Sequence, residues 1–246
     1  MEISEQSLRA LVAATDDQHR AGMDSLPDEI QALHSETRQF RFRNIATRGI
    51  TQRAMVRRAV AGAGLLTIGS QVLPIADLLP RVYAADGDAG IAAFAQSVEL
   101  TAVAAYTAAA KSGLVTTKAV LDAATTFAGH HTEHAAAFGA AAGSAAPNKL
   151  NQKLLDALSP GLGAAKSEND IVKLAYDLEN AAAATYLFAL GALTSVAALQ
   201  LTASILPVEA QHAVVLGQVI GADAATMLPP FETQTAFVDP AKFPVA

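Results

Sequence analysis

The chain repeats itself at a separation of 80 residues, and that repeat leaves few folds open. Residues 99–106 read E-L-T-A-V-A-A-Y and residues 179–186 read E-N-A-A-A-A-T-Y, so Glu99 to Glu179 and Tyr106 to Tyr186 are each 80 positions apart. A second matched pair follows: H-T-E-H at 131–134 and E-A-Q-H at 209–212, with His134 to His212 offset by 78. Residues three apart lie on one face of a helix, so each of these steps aims two polar side chains at one point. A unit of two helices, with Glu on the first and a polar residue-x-x-His step on the second, has therefore been used twice. Four helices whose marked faces meet in a shared core are the expected result.

Composition supports helices over sheet. The chain is 52% hydrophobic but only 5% aromatic, has no Trp, and is dominated by Ala. Ala is the strongest helix former and lets helices approach closely. With no Cys, disulfides, thiolate ligands and a Cys nucleophile are excluded. The net charge of −6 hides an asymmetry. All ten Arg lie at or before Arg81, and residues 85–246 carry seven Lys against fourteen acids. That region has no basic stretch, which argues against a nucleic-acid partner.

In chain order, residues 1–37 form a helical N-terminal segment. It reads as two short helices, with Leu8, Leu11 and Val12 as a narrow apolar stripe and Pro27 at the start of the second helix. His19 and His34, set among acids, are expected on a solvated, charge-rich face. Residues 38–84 read as an export signal or anchor. Seven Arg from Arg38 to Arg58 precede a moderately apolar run, 59–79, and the small-residue step Val82-Tyr83-Ala84. The pair Arg57-Arg58 ahead of weak hydrophobicity resembles a twin-arginine signal. That resemblance implies the twin-arginine translocase as partner and an exported location: periplasm, cell envelope or secreted. If the signal stays attached, 59–79 is the membrane contact.

Residues 85–221 are the folded domain. The expected helices run from about Asp88 to Ser112, Thr116 to Ala142, Ser167 to Leu190 and Ser195 to Ile220. A short helix near Asn148–Leu158, closed at Ser159-Pro160-Gly161, lies in the long crossover between the halves. Ser167-Glu168-Asn169-Asp170 has the pattern of an N-terminal cap. Residues 222–246, with four Pro, form a tail expected to pack on the outside of the bundle.

Glu99, Glu179 and Glu209 all sit among Ala, Val and Leu. A carboxylate on an apolar helix face is costly to bury unless it is paired or binds a metal. Together with His134 and His212, these residues resemble the ferritin-like superfamily, in which two helices each carry Glu and two each carry Glu-x-x-His. The likeness is to exported bacterial ferritin-like domain proteins and their desiccation-related relatives, and it covers about residues 88–221. It implies an all-α, ferritin-like four-helix bundle with a long crossover between its second and third helices. The implied metal ligands are Glu99, His131, His134, Glu179, Glu209 and His212, holding one or two ions of Fe or Mn. Carboxylate and imidazole donors suit such ions.

The second helix departs from the pattern, because His131 stands where the resemblance implies a Glu that bridges two ions. A neutral imidazole offers one lone pair and cannot bridge as a carboxylate does. Glu133 is turned about 200° away on the helix and does not replace it. His130 shares a face with His134 and is an alternative ligand. Tyr106 and Tyr186 are either donors beside the ligands or core residues bonded locally. Two functions follow from the resemblance. One is an exported metalloprotein with oxidase, peroxidase or catalase-like, or ferroxidase activity. The other is a non-catalytic, stress-related or structural bundle of the cell envelope that uses no metal. Homo-oligomerisation is left open, and no phosphate loop, nucleophile motif or dinucleotide fingerprint points elsewhere.

Overall fold

A computed structural model describes residues 3–40, 66–68, 71–73, 79–228, 234 and 236–245, and within these 29–40, 66–68, 71–73 and 79–86 as backbone alone. Four long helices form the bundle: α2 (Leu79–Lys111), α3 (Lys118–Ala142), α5 (Glu168–Leu190) and α6 (Val196–Val219). They are preceded by α1 (Glu5–Phe40) and a short antiparallel hairpin, β1 (Leu66–Ile68) with β2 (Gln71–Leu73). The crossover contains α4 (Gln152–Ala164), and α7 (Ala224–Met227) follows the bundle. Helices α2 and α3 pack as one pair and α5 and α6 as the other, as the repeated unit requires.

Local chemistry explains the boundaries. Helix α2 is broken at Gly87, whose φ of 59° and ψ of −153° are not helical, so the bundle portion begins at Asp88. Ser167, Ser195 and Asn151 each accept the backbone N–H three residues on, at 3.2 Å, and so start α5, α6 and α4. Glu168 accepts from the N–H groups of Thr116 and Thr117, both at 2.7 Å, fixing the start of α3 against that of α5. At Gly139, α2 approaches so closely that a Cβ would lie 2.2 Å from Gln96 Nε2. The Gln96 side chain fills that space, donating to Asn148 Oδ1 and accepting from the Asn148 N–H.

The structure corrects two expected boundaries and one surface. Residues 5–40 are a single helix with Pro27 inside it. An internal proline costs about 3 kcal/mol; here the stripe Leu8, Val12, Thr15, His19 and Leu26 is buried against the bundle up to the residue before it, which offsets that cost. Leu11, assigned to the stripe, is exposed at 39%. His19, expected in solvent, is 3% exposed. In the crossover, α4 runs through Pro160 to Ala164, because Leu158 and Leu162 continue its apolar face onto α2 and α5. The Arg-rich stretch from Arg41 to Arg58, and 59–65, 69–70 and 74–78 of the apolar run, lie outside the described residues. Val82-Tyr83-Ala84 falls within α2.

Of the tail, Phe237 stacks on Phe188 with ring centroids 4.4 Å apart, and Val238 packs with Phe94, Val98 and Leu154. Phe127, fully buried on α3, stacks on His212 of α6 at 4.0 Å and meets Tyr106 of α2 edge-on at 6.3 Å. It joins three helices at the level of the buried acids. Phe127→Ala is therefore expected to lower unfolding free energy by about 3–5 kcal/mol, read from denaturant midpoints with a chelator present.

Candidate metal centre

Six side chains converge midway along the bundle, each at most 1% exposed: Glu99 on α2, His131 and His134 on α3, Glu179 on α5, Glu209 and His212 on α6. They fall into two groups whose ligand atoms lie within 4.8 Å of one another: Glu99, His131, His134 and Glu209, and His131, Glu179, Glu209 and His212. Such groups could hold a metal ion. Glu209 presents one oxygen to each, with Oε1 2.9 Å from His134 Nδ1 and Oε2 3.2 Å from His212 Nδ1. His131 lies between the groups. Its Nδ1 donates to Glu99 Oε2 at 2.7 Å and its Nε2 to Glu179 Oε1 at 3.1 Å.

The donors fit an ion on one specific observation. His134 Nδ1 and Glu209 Oε1 are buried and 2.9 Å apart, yet neither has a hydrogen-bond partner, because the geometry between them is not that of a hydrogen bond. Two donors aimed at a common third point have this relationship.

The tyrosines connect the two halves. Tyr106, from the first repeat, donates its hydroxyl to Glu179 of the second, and Tyr186 donates to Glu99 of the first. Burial and the adjacent carboxylates, Glu179 and Glu99 foremost, hold both phenols well above their ordinary range. They are neutral donors, and the bonds span the bundle instead of closing locally. His130 is not in either ligand group. It sets Nδ1 2.9 Å from His212 Nε2 and Nε2 3.0 Å from Asp16 Oδ1 of α1. His19 of α1 sets Nε2 3.1 Å from His134 Nε2.

Asp16 and His19 are the residues that sequence reasoning missed. The signal was present: from Leu8 and Val12, steps of three and four residues reach Thr15 and His19. Glu133, turned off the ligand face as expected, is half exposed and 3.6 Å from His19 Nδ1.

Charge divides the histidines into inner and outer sets. Burial opposes protonation of His134, but Glu209 and Glu99 outweigh it and raise the group to about 9. His131 and His212 are raised by their carboxylate neighbours against the same penalty. Glu99 and Glu179 are correspondingly lowered, with burial overcome chiefly by His131. In the outer set burial dominates, taking His19 to about 3 and His130 to about 4.

The sign of the pH dependence follows. A raised His stabilises the fold below its unfolded value of 6.5, and that contribution disappears as pH rises through about 9 for His134. A lowered Glu99 stabilises above its unfolded value of 4.5 and loses this only as pH falls towards about 2. Thermal melts in excess chelator should thus show stability falling between pH 7 and pH 10, by up to roughly 3 kcal/mol through His134 alone. Ions compete with the same protons, so metal affinity should tighten over that interval, as read by titration calorimetry in two buffers of different ionisation enthalpy.

No curated protein and no solved structure matches the chain at significance. A family comparison does: the ferritin-like domain matches residues 87–222, spanning the four bundle helices and the crossover, with all six converging side chains inside it. The chain belongs to the ferritin-like domain family.

Proposed function

We propose that the protein is an exported ferritin-like metalloprotein that holds Fe or Mn between its two ligand groups. The observation that carries this reading is Glu209, whose two oxygens face His134 and His212 in two overlapping groups while its Oε1 and His134 Nδ1 remain buried without a hydrogen bond. Glu99 and His134 would hold one ion, and Glu179 and His212 the other, with Glu209 shared. An imidazole and carboxylate set favours Fe, Mn or Zn, and Fe or Mn supplies redox chemistry towards oxygen or peroxide. The chain's own part is to exclude water from the ligands and to hold Glu99 and Glu179 in orientation through the Tyr186 and Tyr106 hydroxyls.

One observation favours a second reading, a metal-free structural bundle. His131, its protonated form favoured by the Glu179, Glu209 and Glu99 carboxylates against burial, crosslinks Glu99 and Glu179 through both ring nitrogens. Three imidazoles then face three carboxylates with no ion. Elemental analysis of the full chain purified without chelator separates the two. The metalloprotein reading expects roughly two ions per chain, a sharp loss in Glu209→Ala, and a melting temperature that falls on chelation. Peroxide and oxygen consumption are then assayed on the loaded protein. A folded chain that takes up neither Fe nor Mn, and melts alike with and without chelator, supports the structural bundle instead.

The Arg57-Arg58 pair and the apolar run behind it support export, a route suited to a protein that folds around its metal before crossing the membrane. Arg57→Lys with Arg58→Lys is expected to retain the chain inside the cell, as read by fractionation and immunoblotting. Unchanged distribution would remove the export reading and leave the metal reading untouched.

A further inference from the structure

Helix α1 lies outside the matched ferritin-like domain, yet it enters the site. It packs on α3 and α6, the two helices that carry the histidines. His134 is backed by His19 of α1, and His212 by His130 of α3, which in turn meets Asp16 of α1. His212 Nε2 is 2.9 Å from His130 Nδ1, and His130 Nε2 is 3.0 Å from Asp16 Oδ1. His134 Nε2 is 3.1 Å from His19 Nε2, and Glu133 lies 3.6 Å beyond His19 Nδ1. The two outer rings stack on each other, centroids 3.9 Å apart and planes 18° from parallel.

The proton positions follow from the chemistry of imidazole. His134 and His212 turn Nδ1 towards the carboxylates. An ion held there takes the Nδ1 lone pair, so the remaining proton must sit on Nε2. Each Nε2–H then needs an acceptor, and the neighbouring ring nitrogen is that acceptor. His130 consequently carries its own proton on Nε2 and donates it to Asp16. His19 carries its proton on Nδ1, which has no hydrogen-bond partner and lies 3.6 Å from the Glu133 carboxylate. Every tautomer in both chains is determined by its neighbour, and each chain passes through a residue of α1. Ligand histidines depend on such partners for orientation and basicity, and losing one costs about 10–100-fold in metal affinity.

We propose that α1 is a working part of the metal centre, with His19 and Asp16 as positioning residues that hold His134 and His212 in the tautomer and orientation an ion requires. This rests on the metalloprotein reading above. The geometry gives α1 a role that packing alone would not: its Leu8, Val12 and Leu26 dock the helix, while its two polar residues act on the ligands.

The test uses the full chain and Mn(II), with the free ion followed by electron paramagnetic resonance. His19→Phe keeps a ring on His130 but removes the acceptor. Asp16→Ala removes the outer carboxylate at a partly exposed position. His19→Gln keeps an acceptor at similar reach. The expected result is Mn(II) affinity about 10–100-fold weaker in H19F and D16A, most of it restored in H19Q, with metal-free melting temperatures close to wild type. In the Zn(II)-loaded protein, imidazole ¹⁵N spectra should show Nε2–H at His134 and His212 in wild type and H19Q, and exchange broadening in H19F. Wild-type affinity in both H19F and D16A would overturn the inference while the metal reading stands. So would losses that merely track lowered melting temperatures and are not rescued by H19Q. A wild-type chain that takes up none of Mn(II), Fe(II) and Zn(II) would bring down the metal reading and this inference with it.

Discussion

Three carboxylates within hydrogen-bonding reach of one another's partners, all at most 1% exposed, are the constraint on which this structure turns. Taking even one carboxylate out of water costs several kcal/mol unless compensated. Everything around Glu99, Glu179 and Glu209 acts to compensate. Three imidazoles face them, two phenols donate to them, and the surrounding helix faces are Ala-rich, so the donors can come close enough to act. The same demand decides which side of each helix points inward. Binary patterning alone is a weak guide in helices so rich in Ala, but the acids add a stronger one, since each is buried where it meets a partner.

The compensation is reciprocal between the two halves of the repeat. Glu99 is held by Tyr186 and Glu179 by Tyr106, so each acid takes a histidine from its own half and its phenol donor from the other. A folded α2–α3 pair without α5 and α6 would bury a carboxylate with its phenol donor missing. Cooperativity is thus built into the site, and the crossover supports it. Asn151, at the start of α4, donates its N–H to Thr101 Oγ1 at 2.9 Å and its side chain to the Phe243 carbonyl at 2.7 Å. This ties the crossover to α2 and the tail to both.

Much of this was legible in the sequence. The repeat placed four helices and six converging side chains, and Ser167 and Ser195 marked helix starts where the structure has them. What was not legible shares a physical cause. Pro27 and Pro160 read as breaks because local propensity is all that a short window shows. Burial of Leu26 and Leu162 against distant helices overrides it. His19 read as solvated because acids surround it in sequence, while in space its face is the one turned to α3 and α6. Tyr106 and Tyr186 were ambiguous for the same reason: their partners are 73 and 87 residues away.

The departure at position 131 and the presence of α1 acquire a common logic. Replacing a carboxylate by His131 removes a negative charge from the centre and a bridging donor from α3, leaving Glu209 as the carboxylate that faces both groups. An ion bound there would meet less negative charge, so its affinity would depend more on how basic and how well oriented the neutral donors are. Those donors are His134 and His212, the two that α1 addresses through His19 and, by way of His130, Asp16. The internal symmetry is broken on this side. On the other side, where α2 and α5 carry the tyrosines, an apolar cleft of about 260 Å³ bordered by α4 reaches to Tyr106. The bundle thus has a histidine face covered by α1 and a tyrosine face covered by α4 and the tail, with the cleft lying between α4 and the bundle on the second.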